Sequence, residues 1–387
     1  MSIDDQIKRL RTKTRQENKI KNKDFKIYNK CYEFPMKLGE YVIYNDFVMN
    51  KIVKLYIKIE EEISVRDMLF FDTETTGLSS GAGTIPFLVG FGYLDDNGFQ
   101  IKQFFLKELS SEYSMLQKIK NIFGKFKYLV SYNGKSFDIH ILETRYILNR
   151  IDIEFTNIPH IDLLYPCRAF YRKRIGSAAL QDIEREIIKY KRSDDIMSSL
   201  IPYIYFDYLR RGQDSRIDDV IRHNRYDILS LLFILYNIEN TLSDPNSIGE
   251  EIDKLSIAKY LKNKKLTDDA EIHIKCLLEN CIDKIVMKEA KREKSFMLKR
   301  KNINAAASIW EEEQTEFYAI VELAKYYEHK VKDLNTALEI VQSGIEKCNI
   351  INELNECSGR MKYFEDLIKR KKRILNKIRR RIVVTNS

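Results

Sequence analysis

Met68-Leu69-Phe70-Phe71-Asp72-Thr73-Glu74-Thr75-Thr76-Gly77 is an apolar run that breaks into alternating acids and threonines. The four apolar residues predict a buried strand, and Asp72-Thr73-Glu74 is its end. In a strand, residues i and i+2 point to one face, so Asp72 and Glu74 aim two carboxylates at one point. Paired carboxylates repel unless a proton or a cation lies between them, and buried charges are ordinarily compensated. A divalent cation takes oxygen ligands of this kind. The bland alternative is a strand end running into solvent with two unrelated acids.

Outward from this strand, read as Asp67–Glu74, the pattern predicts strands over Pro86–Leu94 and Phe99–Phe105. They are joined by Asp95-Asp96-Asn97-Gly98, since Asn-Gly accepts the positive φ of a tight hairpin. A helix follows over Ser110–Phe123, then a strand over Lys127–Ser131, a helix over Phe137–Asn149 and a strand within Phe155–Leu164. A three-strand meander followed by helix, strand, helix, strand predicts a mixed α/β sheet with helices on its faces. Asp138, in the first turn of its helix, is a third acid of interest; the helix dipole also favours an acid there. The last helix of this region is predicted over Ile217–Leu242. It carries His223 and Asp227 four residues apart, on one face, just ahead of its most apolar stretch. Residues 26–62 hold aromatic and branched residues around Pro35 and Gly39, and read as short strands or an extended lead-in without chemistry.

With 387 residues the chain has room for two or three domains. Its net charge of +9 is concentrated at the ends, with eleven Lys/Arg against two acids between 360 and 381 and eight against three between 1 and 23. Basic ends on a near-neutral body point to an anionic polymer as partner, or else to solubilising termini. Residues 1–25 read as a flexible basic arm. The six cysteines are scattered without a CxxC pair, which argues against zinc and disulfide frameworks. The polar N-terminus and the short apolar runs predict no membrane span and a cytoplasmic protein.

The ordered set is more specific than its members. Asp72-x-Glu74 on a first strand, Asp138 after Asn133-Gly134, and His223-x-x-x-Asp227 on a late helix resemble the DEDD exonucleases of the ribonuclease H-like superfamily, over about residues 65–240. The chain is most similar to the YprB-type branch, also named for mitomycin repair. The supporting runs are Gly83-Thr84-x-Pro86-Phe87-Leu88-Val89-Gly90, His160-x-Asp162-Leu163-Leu164, Arg192-x-Asp194-Asp195-Ile196 and His223-Asn224-Arg225-x-Asp227-Ile228-Leu229-Ser230-Leu231. One subclass of that superfamily has Tyr four residues before the last acid and another has His five before it. This chain has His at the Tyr-type spacing, with Tyr226 adjacent to the acid.

The resemblance implies a metal-dependent 3′–5′ exonuclease using two Mg²⁺ or Mn²⁺ ions. Asp72, Glu74, Asp138 and Asp227 would be the metal ligands, with Asp72 bridging both ions, and His223 would orient or accept the proton of the attacking water. The substrate implied is DNA, with RNA possible, in repair and perhaps beside a helicase. The rival readings are a ribonuclease with the same acids and a non-catalytic nucleic-acid-binding adaptor. Thr73, Thr75, Asn133 and Phe137, which flank the acids, are candidate nucleic-acid contacts. So are Arg172, Lys173 and Arg174, which sit with Arg168, Phe170 and Tyr171 in a basic and aromatic loop between the fifth strand and the next helix, suited to phosphates and stacked bases or else ordinarily solvated.

The exonuclease domain is placed at 63–245. Residues 250–358 are predicted helical with weak repeats: Ala258-Lys259-Tyr260 recurs as Ala324-Lys325-Tyr326, and Ile303-Asn304-x-Ala306-x-x-Ile309 as Leu334-Asn335-x-Ala337-x-x-Ile340. The spacing resembles tetratricopeptide-like repeats, a surface for a protein partner. Residues 359–387 read as a basic helix and tail that touch phosphates.

Overall fold

The computed structural model describes residues 25–77, 81, 83–153, 155, 157–353 and 361–385. Residues 1–24 of the basic arm, most of the small-residue loop before Thr84, Cys357 and the last two residues lie outside the described residues. The chain forms two compact units, Met1–Ser247 and Ile248–Ser387.

The first unit opens with β1 (Phe25–Tyr32), the short strands β2 (Met36–Leu38), β3 (Tyr41–Ile43) and β4 (Val48–Met49), helix α1 (Lys51–Tyr56) and β5 (Ile63–Ser64). The body follows: β6 (Met68–Thr75), β7 (Pro86–Asp95), β8 (Gly98–Leu106), α2 (Glu112–Phe123), β9 (Tyr128–Ser131), α3 (Asp138–Leu148) and β10 (His160–Asp162). Helices α4 (Leu164–Ile175), α5 (Leu180–Ile183), α6 (Ile201–Arg211) and α7 (Ile217–Ser243) complete it. The main sheet has the order β1-β8-β7-β6-β9-β10. The β6–β7, β7–β8 and β1–β8 pairs are antiparallel, while β9 runs parallel to both β6 and β10. Met68 to Phe71 of β6 are fully buried, as expected of a central strand covered on both faces.

Two features depart from the sequence reading. The lead-in supplies β1, which pairs with β8 along its whole length as a sixth, edge strand. Residues 164–175 form a helix rather than a loop, and it buries Phe170 and Tyr171. The aromatic rings of the basic stretch therefore belong to the core and are not open for base stacking.

Helix α7 lies close against the sheet because β7 carries Gly90 and Gly92. A Cβ at Gly90 would lie 2.2 Å from Asn224 Oδ1 and 2.3 Å from Ile228 Cδ1. From β8, buried Gln103 donates to Ile221 O and to Asn224 Oδ1, both at 2.8 Å. Toward its other end, Glu239 accepts the backbone N–H groups of Asn50, Lys51 and Ile52 at 3.0–3.1 Å. It so satisfies the free donors that open α1. Held at both ends, α7 presents His223, Asn224 and Asp227 to β6.

In the second unit, α8 (Glu251–Asn263), α9 (Thr267–Asn280), α10 (Lys284–Lys301), α11 (Ile303–Glu312), α12 (Phe317–Tyr326), α13 (Leu334–Glu353) and α14 (Met361–Thr385) follow one another, each packed on the next. Ala258, Ala306, Ala324 and Ala337 of the recurring motifs are all buried, as small residues at helix crossings are. Among the described residues no helix is long and apolar enough to cross a membrane.

Gly90→Ala is expected to push α7 off the sheet and cost about 1–3 kcal/mol by overpacking. The readout is a lower urea midpoint at unchanged slope; an unchanged midpoint would show that the helix sits loosely over β7.

Candidate active site

Strand β6 alternates at its end as the sequence predicts, with Thr73 and Thr75 buried and Asp72 and Glu74 half-buried on the other face. Asp72 Oδ2 accepts from Asn224 Nδ2 at 2.7 Å, and the same amide reaches the Asp72 carbonyl at 3.3 Å. Glu74 faces His223, whose Nε2 lies 4.0 Å from its Oε1 and 3.5 Å from Asp227 Oδ2. Glu74, His223 and Asp227 each offer one donor atom, all within 4.8 Å of one another. Two carboxylate oxygens at that spacing, with Asp72 alongside, fit a divalent cation, and the imidazole nitrogen lies beside them.

Asp138 opens α3 and is 6% exposed. The Thr73 hydroxyl donates to its Oδ1, so it is tied directly to the acid-bearing strand. The turn that delivers it is fixed from β10. Asp162 accepts the backbone N–H of Asn133 at 2.7 Å, of Lys135 at 3.1 Å and of Leu164 at 3.1 Å, while Asn133 takes a φ of +64°.

The sequence reading assigned no role to the groups that complete this site. Arg192 is almost wholly buried, and it donates to Glu184 Oε1 and Asp227 Oδ1, each at 2.5 Å, and to Asp195 Oδ2 at 3.0 Å. Asp195 Oδ1 in turn lies 2.7 Å from His223 Nδ1, and Ser198 Oγ lies 3.3 Å from its Nε2. Glu184 comes from a π-helical segment, Glu184–Ile188, that closes at Lys189 with φ +59°. The lead-in grips this segment, for Glu40 N–H donates to Ile188 O at 3.1 Å. A Cβ on Gly39 would lie 2.1 Å from that same oxygen. Tyr226 packs against Tyr190 and the Arg192 guanidinium, while His223 is the ring that lies within 4.0 Å of Glu74 and Asp227.

The remaining candidates are placed differently. The Thr75 hydroxyl donates to Gly77 O at 2.7 Å, so both strand threonines spend their hydroxyls within the chain. Asn133 is exposed and Phe137 half-buried just before α3. Arg172, Lys173 and Arg174 occupy the last turn of α4.

Acidity is unusual throughout. Burial, then repulsion from Asp227, Asp138 and Glu74, hold Asp72 well above the ordinary carboxylate range. Burial drives Glu74 up to about 8, with the neighbouring acids adding and His223 and Arg192 opposing. Burial also takes Asp138 to about 6, partly offset by the Thr73 hydroxyl. For His223, burial would lower the pKa, but Asp227, the Asp195 hydrogen bond and Glu74 raise it to about 9. Asp195, against the cost of its own burial, is drawn down to about 2 by His223 and Arg192. The acids thus outnumber the cations that face them, and a divalent cation would redress the excess.

Acids delivered to one point by the central strand of a mixed sheet and by helices packed across it define a ribonuclease H-like domain. Comparison with known proteins agrees, because the family model described as the RNase_H superfamily matches residues 69–238. Residues 69–238 are thus ribonuclease H-like, and the similarity extends to a YprB-type protein. The chain is 28% identical over 296 residues, 74% of this chain and 71% of the relative, to the Bacillus subtilis (strain 168) protein called uncharacterized protein YprB. Among solved structures, the family B DNA polymerase of the archaeon Pyrobaculum calidifontis aligns with a TM-score of 0.37 and 14% identity, over 69% of this chain and 33% of that one. The chain thus spans about a third of that polymerase's length.

The site makes stability depend on pH. Glu74 shifts from 4.5 to about 8 and His223 from 6.5 to about 9, so each binds more protons folded than unfolded. Its contribution is full below the unfolded pKa and lost as pH rises through the folded one. In EDTA the melting temperature should therefore fall steadily between about pH 5 and 9. Glu74→Gln should flatten that fall, and Mg²⁺ or Mn²⁺ should reverse it near pH 8. A flat profile in the parent protein would contradict the arrangement.

Proposed function

We propose that the protein is a divalent-metal-dependent exonuclease that hydrolyses DNA phosphodiester bonds from the 3′ end, in the service of repair. The observation that carries this reading is the convergence of Glu74, His223 and Asp227 beside Asp72, with Asp195 holding the imidazole. Asp72, Glu74, Asp138 and Asp227 would hold Mg²⁺ or Mn²⁺, as the all-oxygen carboxylate set favours. When bound, two such cations supply an acidified water and charge neutralisation at the phosphate.

The chain's own groups do the rest. Asp195 accepts the Nδ1 proton of His223 and so leaves Nε2, on the side of Glu74 and Asp227, to take a proton from water. The acids that raise the pKa of His223 are the ones a cation would neutralise, so loading the site would also free the imidazole to act as a base. Arg192 ties Asp227 to Asp195 and thereby fixes the acid and the imidazole's partner relative to each other. An adaptor that only bound nucleic acid would have no use for three carboxyls held above their ordinary pKa, each costing folded-state stability at neutral pH.

End-labelled single-stranded DNA, duplex DNA and matched RNA, incubated with Mn²⁺ or Mg²⁺, test this directly. A ladder shortening from the 3′ end of DNA is expected, abolished by EDTA. Asp72→Asn and Glu74→Gln should each lower kcat by about a thousandfold or more. Asp195→Asn should cost about ten- to a hundredfold in kcat with KM little changed. A ladder on RNA alone would make the protein a ribonuclease, and strand binding without cleavage of any substrate would make it an adaptor.

A further inference from the structure

The helical unit has a second charged centre, built on opposite terms. Glu328 is buried, and its carboxylate accepts from Arg370 Nη1 at 3.0 Å, Arg373 Nη2 at 2.6 Å and Lys377 Nζ at 2.8 Å. Close by, buried Glu322 is paired with Lys325 at 2.7 Å and with Lys299. Two carboxylates therefore face five cations. A further acid, Asp366, half exposed, lies 3.4 Å from Arg370 Nη2.

Four of these cations, Lys299, Lys325, Arg370 and Arg373, line a cavity of about 420 Å³ together with Lys330, Glu322 and Trp310. Two N–H donors of this wall are buried without a partner, Arg370 Nε and Trp310 Nε1. Arg370 is 5% exposed and Trp310 is fully buried. An unpaired buried donor costs free energy, and like charges gathered in one place disfavour one another. Glu328 gathers three basic groups of the C-terminal helix, Arg370 buried and Arg373 and Lys377 partly exposed, so its basic face is not simply a solvated stripe. What would satisfy all of this is a compact anion with several acceptor oxygens, for which Arg and Lys side chains are suited partners.

We infer that this cavity is a binding site for a phosphate group, carried by a free nucleotide or by a nucleic-acid strand. The volume lies in the range of small-molecule sites, roughly 300–1,000 Å³, and leaves room beside the phosphate for what it is attached to. The inference is independent of the exonuclease reading, since it uses none of the residues of that site.

Trp310 is the only tryptophan of the chain, so its fluorescence reports on this cavity alone. The full-length protein, in EDTA at constant ionic strength, would be dialysed to equilibrium against inorganic phosphate, thymidine 5′-monophosphate and a short oligothymidylate. Saturable binding with a matching change in tryptophan emission is expected. Lys330→Glu, at an exposed position with no bearing on the core, should weaken it about tenfold or more, and Asp72→Asn should leave it intact. Binding of phosphate and the monophosphate would identify a free ligand; binding of the oligonucleotide alone would identify a strand. Absence of saturable binding by all three, or binding that Lys330→Glu does not change, would overturn the inference.

Discussion

Repulsion among Asp72, Glu74, Asp138 and Asp227 is the constraint to which the first unit is built. Each acid has its own restraint. Asn224 donates to Asp72, Thr73 to Asp138 and Arg192 to Asp227, while Glu74 faces the His223 imidazole. Those restraints arrive from separate elements, so the sheet, α7 and the segment carrying Arg192 must all be in register before the acids can sit together. The close approach of α7 over Gly90 is one consequence, and the burial of Gln103 beneath Asn224 is another. Such a site is strained in charge rather than in backbone, and it gains most from a cation.

Much of this was legible in the sequence, for reasons tied to period. The alternation at Asp72-Thr73-Glu74 follows from the strand's two-residue repeat, and the His223–Asp227 pair from the four-residue spacing of a helix face. The meander and its Asn-Gly turn were equally local. What escaped were partners far apart in sequence. Arg192 and Asp195 reach Asp227 and His223 across some thirty residues that include helix α6, and no short-range pattern records such a contact. The place of β1 in the main sheet escaped because an edge strand shows water most of its side chains: of Phe25–Tyr32 none is fully buried.

The misreading of residues 164–175 has a different origin. Basic side chains between a strand and a helix gave the stretch the look of a loop, yet Pro166 is tolerated in the helix's first turn, and Gly176, with φ +78°, closes the helix in the left-handed conformation. Phe170 and Tyr171 sit together on its inner side, and Tyr171 donates to Asn237 of α7. Composition pointed to a surface, while the spacing of the aromatic residues belonged to a core.

The grip of the lead-in on Ile188 bears on where the working unit begins. The recognisable superfamily segment covers 69–238, but Gly39 and Glu40 hold the end of the π-helical turn whose Glu184 anchors Arg192. Just past the other boundary, Glu239 secures α1. The part that kinship detects is therefore smaller than the part that must fold for the site to be assembled. A lineage that kept every acid but lost the first sixty residues would inherit the signature without the scaffold that arms it.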